Sequence, residues 1–370
     1  MNPDATLPNR RRFLKTAVGF AGATVLASSM APLTAIAAAN RRKLGFALVG
    51  LGSYSTGQLG PSLKETHNCY LAGIVTGTPA KAERWAREYD IAQRNIYNYE
   101  NFDTIVDNDE IDVVYVVLPN SMHAEYSIRA LRAGKHVICE KPMGLTAAEC
   151  EQMIAVAEEN RRLLAVGYRM PYDPYFIEMK RLSQSGEMGP VNYLESALGY
   201  SYTPQLGSWK LKKSMGGGSL YNLGVYPIQN VRHAKGSEPI AVTAQASTKR
   251  PEYFSEFPEM YTWQLEWEDG TLASCYTGPN ARIDRLFVGC RDGWINFEPA
   301  TAYSGQACRT SRGDFNFPQV NQQRLQMEDF ARCVIEGTPS KVGAHEGLQD
   351  ARIIDAIHES IRTGRKVMLG

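Results

Sequence analysis

The stretch Lys43-Leu-Gly-Phe-Ala-Leu-Val-Gly-Leu-Gly-Ser-Tyr54 does most to limit what this chain can fold into. Leu44 to Val49 is a short apolar run, the pattern of a strand covered on both faces in a parallel sheet. Gly50 and Gly52 follow at once, so the chain can turn tightly and present backbone N–H groups to an anion. Such a G-x-G turn is the first part of a dinucleotide-binding fingerprint, with the pyrophosphate resting on the next helix. The fingerprint is incomplete here, because Ser55 holds the third glycine position and the next glycine is Gly57.

Beyond the turn, strand and helix patterns alternate. Thr56 to Thr66 is predicted helical with Pro61 inside it, Tyr70 to Thr76 a strand, and Pro79 to Tyr89 a helix with proline near its start. Tyr99 to Asp107 is a short amphipathic segment. Val113 to Leu118 is a third strand, Ser121 to Ala133 a helix closed by Gly134, and His136 to Cys139 a fourth strand. Thr146-Ala-Ala-Glu149 opens a helix to Asn160 as a capping box, and Leu163 to Val166 is a fifth strand. This alternation predicts a doubly wound parallel sheet, a Rossmann-type α/β domain over residues 40–167.

From Pro190 the pattern changes. Val191 to Ser196, Ala241 to Gln245, Tyr261 to Trp267, Thr271 to Tyr276 and Arg285 to Gly289 alternate apolar and polar residues as half-buried strands do. Glu268-Asp-Gly270 and Arg291-Asp-Gly293 are turn sequences between them, and Gln322 to Ile335 and His345 to Arg362 return to helical spacing. Residues 168–370 are therefore expected to form an α+β domain with a mainly antiparallel open sheet. Its last helices are expected to reach back to the first domain.

The first 39 residues read as an export signal. Asn9-Arg-Arg-Arg-Phe-Leu-Lys15 has the twin-arginine pattern, a weakly apolar run from Thr16 to about Ala31 follows, and Ala35-Ile-Ala37 and Ala37-Ala-Ala39 both fit a cleavage rule. The expectation is a periplasmic protein, carried folded by the twin-arginine machinery and free of the membrane after cleavage. Four of the 40 basic residues and one of the 39 acidic residues lie in this segment, leaving 36 against 38, too balanced to attract nucleic acid. The seven cysteines show no C-x-x-C or Cys/His ligand spacing, so neither a metal nor a disulfide is expected.

The end of the second strand bears on the cofactor. An NAD site places Asp or Glu there for the ribose 2′-hydroxyl. No acid occurs from Leu71 to Ala82; instead Thr76, Gly77, Thr78, Lys81 and Arg84 offer hydroxyls, open backbone and positive charge. These groups suit a 2′-phosphate, and NADP is the expected cofactor.

Three further stretches join the glycine turn: Leu118-Pro-Asn-Ser-Met-His123, Cys139-Glu-Lys-Pro-Met143 and Gly216-Gly-Gly-Ser-Leu-Tyr-Asn-Leu-Gly-Val-Tyr226. With Tyr97 to Phe102, Gly167-Tyr-Arg169, Glu298 to Thr301 and Glu346 to Asp350, the chain resembles the glucose–fructose oxidoreductase and inositol dehydrogenase family, nearest to its exported, NADP-containing branch. The resemblance implies that Gly50, Gly52, Ser53 and Tyr54 line the pyrophosphate. It places Thr76, Gly77, Thr78 and Lys81, with Tyr99 nearby, at the 2′-phosphate. Pro119, Asn120 and His123 would border the ribose, and Glu140, Lys141 and Arg169 the nicotinamide end. Tyr226 would be the acid/base, assisted by Lys141, with Asn222, Arg169 and Tyr168 on the sugar.

The chemistry is consistent with those roles. Oxidising a sugar hydroxyl sends hydride to the nicotinamide and a proton to a base, and an ammonium such as Lys141 stabilises a neighbouring phenolate. Asn222 stands where much of the family has an acid and Tyr226 where it has a histidine; a neutral amide can orient a hydroxyl but cannot take its proton. In the exported branch the nicotinamide stays bound, one sugar leaving as lactone and a second as alditol in a ping-pong cycle. Few residues would remain before the first strand after cleavage, which disfavours an arm-swapped tetramer and favours a homodimer. Two other readings remain open at this point: a glycosidase working by transient oxidation, and a non-catalytic sugar-binding relative.

Overall fold

The computed structural model describes residues 42–370, and the export-signal reading lies outside the described residues. Two sheets carry the architecture. The first has six parallel strands: β1 (Leu44–Val49), β2 (Cys69–Val75), β3 (Ile96–Tyr97), β4 (Val113–Val116), β5 (His136–Cys139) and β6 (Leu164–Val166), in the order β3-β2-β1-β4-β5-β6. Every residue of β1 is buried, as its unbroken apolar run requires. β3 was not expected; two residues pair with Ile74 and Val75, too few for a periodic signal.

The helices between these strands start where local chemistry dictates. After the glycine turn the chain makes a π-helical turn, Ser55–Leu59, that runs into α1 (Gly60–Lys64), with Pro61 in its first turn. α2 is Pro79–Tyr89 and α3 is His123–Arg132, with Gly134 at φ +74° just beyond. In α4 (Ala147–Glu159) the Thr146 side chain accepts from Glu149 N at 3.2 Å. The Glu149 carboxylate accepts from Leu145 N at 2.7 Å, one residue short of the expected reciprocal box.

The second sheet has nine strands, with β7 (Val191–Gly199), β8 (Ala241–Ser247), β9 (Met260–Glu266), β10 (Leu272–Gly278) and β11 (Ile283–Cys290) at its centre. It is antiparallel except for the β7–β10 pair. Two helices that lacked a clear sequence pattern, α5 (Pro174–Ser185) and α6 (Val225–Lys235), contribute buried side chains to this domain's core. Alternate residues Thr243, Gln245, Thr262 and Gln264 face outward as an open polar surface.

The last two helices join the halves. α7 (Gln322–Glu336) buries Met327, Phe330 and Ala331 in the core of the first sheet. α8 (Ala344–Thr363) contributes Leu348 and Ala351 to that core and Ile353, Ile354, Ala356 and Ile357 to the core of the second. Each of these Leu, Ile, Met and Phe side chains is worth about 1.5–3 kcal/mol when fully buried, so the joint is a hydrophobic one.

Candidate active site

A cavity of about 780 Å³ opens where the carboxyl ends of β1, β2, β4 and β5 face the second domain. This is the edge of a doubly wound sheet at which ligands bind. Every site residue expected from the sequence lines it except Tyr168 and Arg84.

At the glycine turn, Gly50 has φ +95° and a Cβ there would lie 2.4 Å from Val117 O, so no other residue fits. A Cβ on Gly52 would meet nothing within 4 Å. The turn therefore leaves open backbone toward the cavity, the cradle a pyrophosphate requires. Ser55 explains the missing third glycine: it is fully buried and its Oγ donates to Gly50 O at 2.6 Å, bracing the turn. The close-packing role passes to Gly60, where a Cβ would sit 2.4 Å from the Tyr89 hydroxyl and 2.9 Å from Trp85, whereas Gly57 faces open space.

Beyond β2, Thr76 N donates to Tyr97 O at 3.0 Å and its Oγ1 accepts from Thr78 N at 3.3 Å. Thr78 precedes α2 without capping it through its side chain, so its hydroxyl remains available. Lys81 lies in the first turn of that helix and the Tyr99 ring lies against Gly77. Glu140 is the one carboxylate among the described residues that line the cavity, and it belongs to the opposite end. Hydroxyls, a lysine and no acid are a donor set that fits a 2′-phosphate.

At that opposite end Lys141 follows β5, and its Nζ donates to Asn222 O at 2.6 Å. The same Nζ lies 5.0 Å from the centre of the Tyr226 ring, and the Arg169 guanidinium carbon 5.6 Å from it. Tyr226 enters on the first turn of α6. Arg169 is nearly buried; its Nη atoms donate to Gln322 Oε1 and Thr301 O, and it stacks 4.1 Å from the Tyr303 ring centre. Its Nε has no partner among the described residues, an orphan donor of the kind a ligand satisfies.

Glu140 sits behind this group. Its carboxylate accepts from the Tyr115 hydroxyl at 2.9 Å and from Lys141 N at 3.2 Å. Burial pushes it up to about 7, against the opposing charge of Lys141. Gly167 makes room for it, since a Cβ there would fall 2.4 Å from Glu140 Oε1.

Three expected roles change. Tyr168 is buried and donates its hydroxyl to Asp350 Oδ2, pointing away from the cavity, so it does not bind the sugar. His123 borders the cavity but has no free ring nitrogen: Nδ1 lies 2.7 Å from Pro142 O and Nε2 2.9 Å from Leu118 O. It ties the loop after β4 to the segment after Lys141, and burial pushes its pKa down although two carbonyls favour the protonated ring. Asn222 holds Lys141 through its backbone carbonyl, while its side-chain nitrogen donates to Gly218 O at 2.8 Å and its Oδ1 stays open to a ligand.

The sequence reading missed Gln58, Tyr200, Trp209, Lys210, Thr301 and Tyr303 in the wall. Most come from loops without periodicity, and only Thr301 fell in a stretch already singled out. The loop wall is anchored on the first domain by Asn120, whose Nδ2 donates to Gly216 O at 2.8 Å. Among the described residues no cluster of three metal-ligating side chains occurs.

Comparison with known proteins agrees with this geometry. Residues 44–168 match the oxidoreductase family with an NAD-binding Rossmann fold, residues 176–296 the GFO/IDH/MocA C-terminal domain, and residues 303–369 the oxidoreductase family's C-terminal alpha/beta domain. The crystal structure of an aldose–aldose oxidoreductase from Caulobacter crescentus, complexed with glycerol, superposes with a TM-score of 0.85 at 38% identity over 89% of this chain and 100% of that one. An NADP-dependent D-xylose 1-dehydrogenase from Haloarcula marismortui is 27% identical over 88% of this chain and 92% of its own length. An NADP-dependent scyllo-inositol 2-dehydrogenase from Bacillus subtilis is 27% identical over 89% and 98%. With its Rossmann half, its open-sheet half and the cavity between them all accounted for, this chain belongs to the GFO/IDH/MocA family of oxidoreductases.

Proposed function

We propose that the protein is a periplasmic oxidoreductase with tightly held NADP(H) that oxidises an aldose at C1 to the aldonolactone and then reduces a second sugar to an alditol. The observation that carries this reading is the convergence of Lys141 and Arg169 on Tyr226 at one end of a cavity whose other end offers Thr76, Thr78 and Lys81 without an acid. The aldose named for the Caulobacter relative, and the xylose or inositol and NADP named for the Haloarcula and Bacillus relatives, support it. So does the twin-arginine leader, since a nucleotide bound before export need not be found again outside the cytosol.

The bound nicotinamide would supply the acceptor for the hydride that leaves C1. Tyr226 takes the hydroxyl proton from the sugar on its phenolate oxygen and returns it to the second sugar in the reverse half-cycle. Lys141 and Arg169 stabilise the negative charge on that oxygen before the proton arrives. The bond to Asn222 O fixes where the Lys141 ammonium sits, and Asn222 Oδ1 is left to accept from a sugar hydroxyl. A homodimer would form across the polar sheet face of Thr243, Gln245, Thr262 and Gln264.

The test uses the purified mature protein with no added cofactor. Absorbance and fluorescence of reduced nicotinamide should rise on adding glucose or xylose and fall on adding a second sugar. Absence of bound nucleotide, or glycoside cleavage without net redox, would overturn the reading.

A further inference from the structure

We propose that Arg250 and Glu259, which do not line the cavity, form a clamp that fixes its sugar side, and that Arg250 is a positioning residue for the sugar. The proposal rests on the aldose reading of the main cavity.

The need for a clamp follows from the path of the chain through the second sheet. β7 and β10 run parallel, so both leave at the same edge, with Gly199 and Gly278 side by side. β8 ends and β9 begins at that edge too, because each is antiparallel to its neighbour. The chain leaving β7 supplies Tyr200 to the cavity wall. No hairpin can tie the exits of a parallel pair, so other groups must hold them.

Arg250 has the geometry to do so. Its Nε donates to Glu259 Oε1 at 2.8 Å, its Nη1 to Tyr202 O at 2.9 Å and its Nη2 to Pro279 O at 3.0 Å. One planar guanidinium thus pins the chain leaving β7 to the chain leaving β10. Glu259 is fully buried, and its Oε2 accepts from Lys249 N at 2.8 Å and Arg250 N at 3.0 Å. Held at both oxygens, the carboxylate sets the direction in which the guanidinium points. The buried Phe254 ring lies 5.5 Å from the guanidinium carbon and covers it.

Glu259 has a second hold. Its backbone carbonyl accepts from the buried Ser219 hydroxyl at 2.9 Å. Ser219 opens the π-helical turn Leu220–Gly224, which brings Asn222 O to Lys141 and leads into Tyr226. Glu259 therefore sets the wall at Tyr200 through Arg250 and the reacting group at Tyr226 through Ser219. The gap between them, which a sugar ring must fit, is fixed by residues outside the cavity. The nucleotide's seat at Gly50, Thr78 and Lys81 follows strands of the other sheet, so the clamp acts on the sugar.

The two arms can be cut separately. Arg250→Lys keeps the ion pair with Glu259 but replaces the fork by one ammonium, which cannot serve both carbonyls. A residue needed only to neutralise Glu259 would be rescued by lysine, and a clamp would not. Ser219→Ala cuts the other arm. In nucleotide-saturated protein, Arg250→Lys should raise the aldose KM about tenfold with kcat nearly unchanged, whereas Ser219→Ala should lower kcat more than it raises KM. Affinity for NADP should match the wild type in both. Hydrogen exchange read by mass spectrometry gives a measure independent of turnover. The amides of residues 200–203 should exchange faster in Arg250→Lys, and those of residues 44–118 at the wild-type rate. Wild-type kinetics in Arg250→Lys, unchanged exchange at residues 200–203, or a loss of NADP affinity as large as the loss for sugar would each overturn the proposal. A wild type that oxidises no aldose would overturn the aldose reading instead, and the exchange pattern would still decide whether Arg250 holds the wall.

Discussion

Asp350 Oδ1 accepts from Arg232 Nη1 at 2.6 Å while its Oδ2 accepts from the Tyr168 hydroxyl. One carboxylate thus joins the helix that carries Tyr226 to the residue preceding Arg169. All three side chains are buried, and Glu238 completes the cage around Arg232 at 2.6 Å. Burial pushes Asp350 up to about 6, with Arg232 opposing it. Asp350→Ala leaves Arg232 paired with Glu238 and Glu346 but takes the acceptor from the buried Tyr168 hydroxyl, so it should cost about 1–3 kcal/mol. The urea midpoint reads this directly, and an unchanged midpoint would show that the cage bears no load.

Glu140 makes a pH prediction. Its ordinary value is 4.5 and burial raises it to about 7 in the folded chain. Between those values the folded protein holds a proton that the unfolded chain releases. Stability contributed by this group therefore falls as pH rises through that window, by about 3 kcal/mol, and is level above it. Glu140→Gln should abolish that slope. Denaturation of the nucleotide-free wild type and variant at pH 5 and pH 8 checks it, and parallel curves would mean that Glu140 does not titrate there.

For Tyr226 the expectation concerns rate alone. Tyr226→Phe keeps the ring between Lys141 and Arg169 and removes the proton carrier, so turnover should fall about 10²–10⁴-fold with bound nucleotide unchanged. Full turnover in this variant would remove Tyr226 from the chemistry.

Thr78 tests the phosphate end. Thr78→Asp keeps a residue suited to a helix start but sets a carboxylate where the wall has none. Affinity for NADP should fall about tenfold or more, a loss of about 1.4 kcal/mol, and NAD should gain relative to it. Chromatography of the nucleotide released on denaturation gives the ratio.

Much of this could be read in the sequence, because β1, β2, β4, β5 and β6 are apolar runs set between helical patterns, and the turn and Cys139-Glu-Lys-Pro-Met143 lie at strand ends where position implies use. What escaped was direction and context. Tyr168 and Arg169 are adjacent in an irregular segment, yet one reaches Asp350 and the other the cavity, a divergence that no motif encodes. Asn222 is identifiable as a site residue, but that its backbone carbonyl holds Lys141 depends on how the segment after Gly218 is turned toward β5. α6 was hidden because its buried face includes Gln229, Asn230 and Arg232, polar residues that break the apolar period; Asn230 and Arg232 find distant partners in Ser196 and Asp350.

The shared helix α8 has a kinetic consequence. Many two-domain enzymes admit and discharge ligands by a hinge, which requires an interface able to part. Here a swing of that kind would pull Leu348 and Ala351 or Ile353 and Ile357 out of their cores, since successive turns of one rod are embedded in different halves. Passage through the cavity then falls to its rim, where Trp209 and Tyr303 line the wall and belong to neither core. The molecule's clock for nucleotide exchange is therefore set by its loops, and loosening them should speed exchange without unfolding the protein.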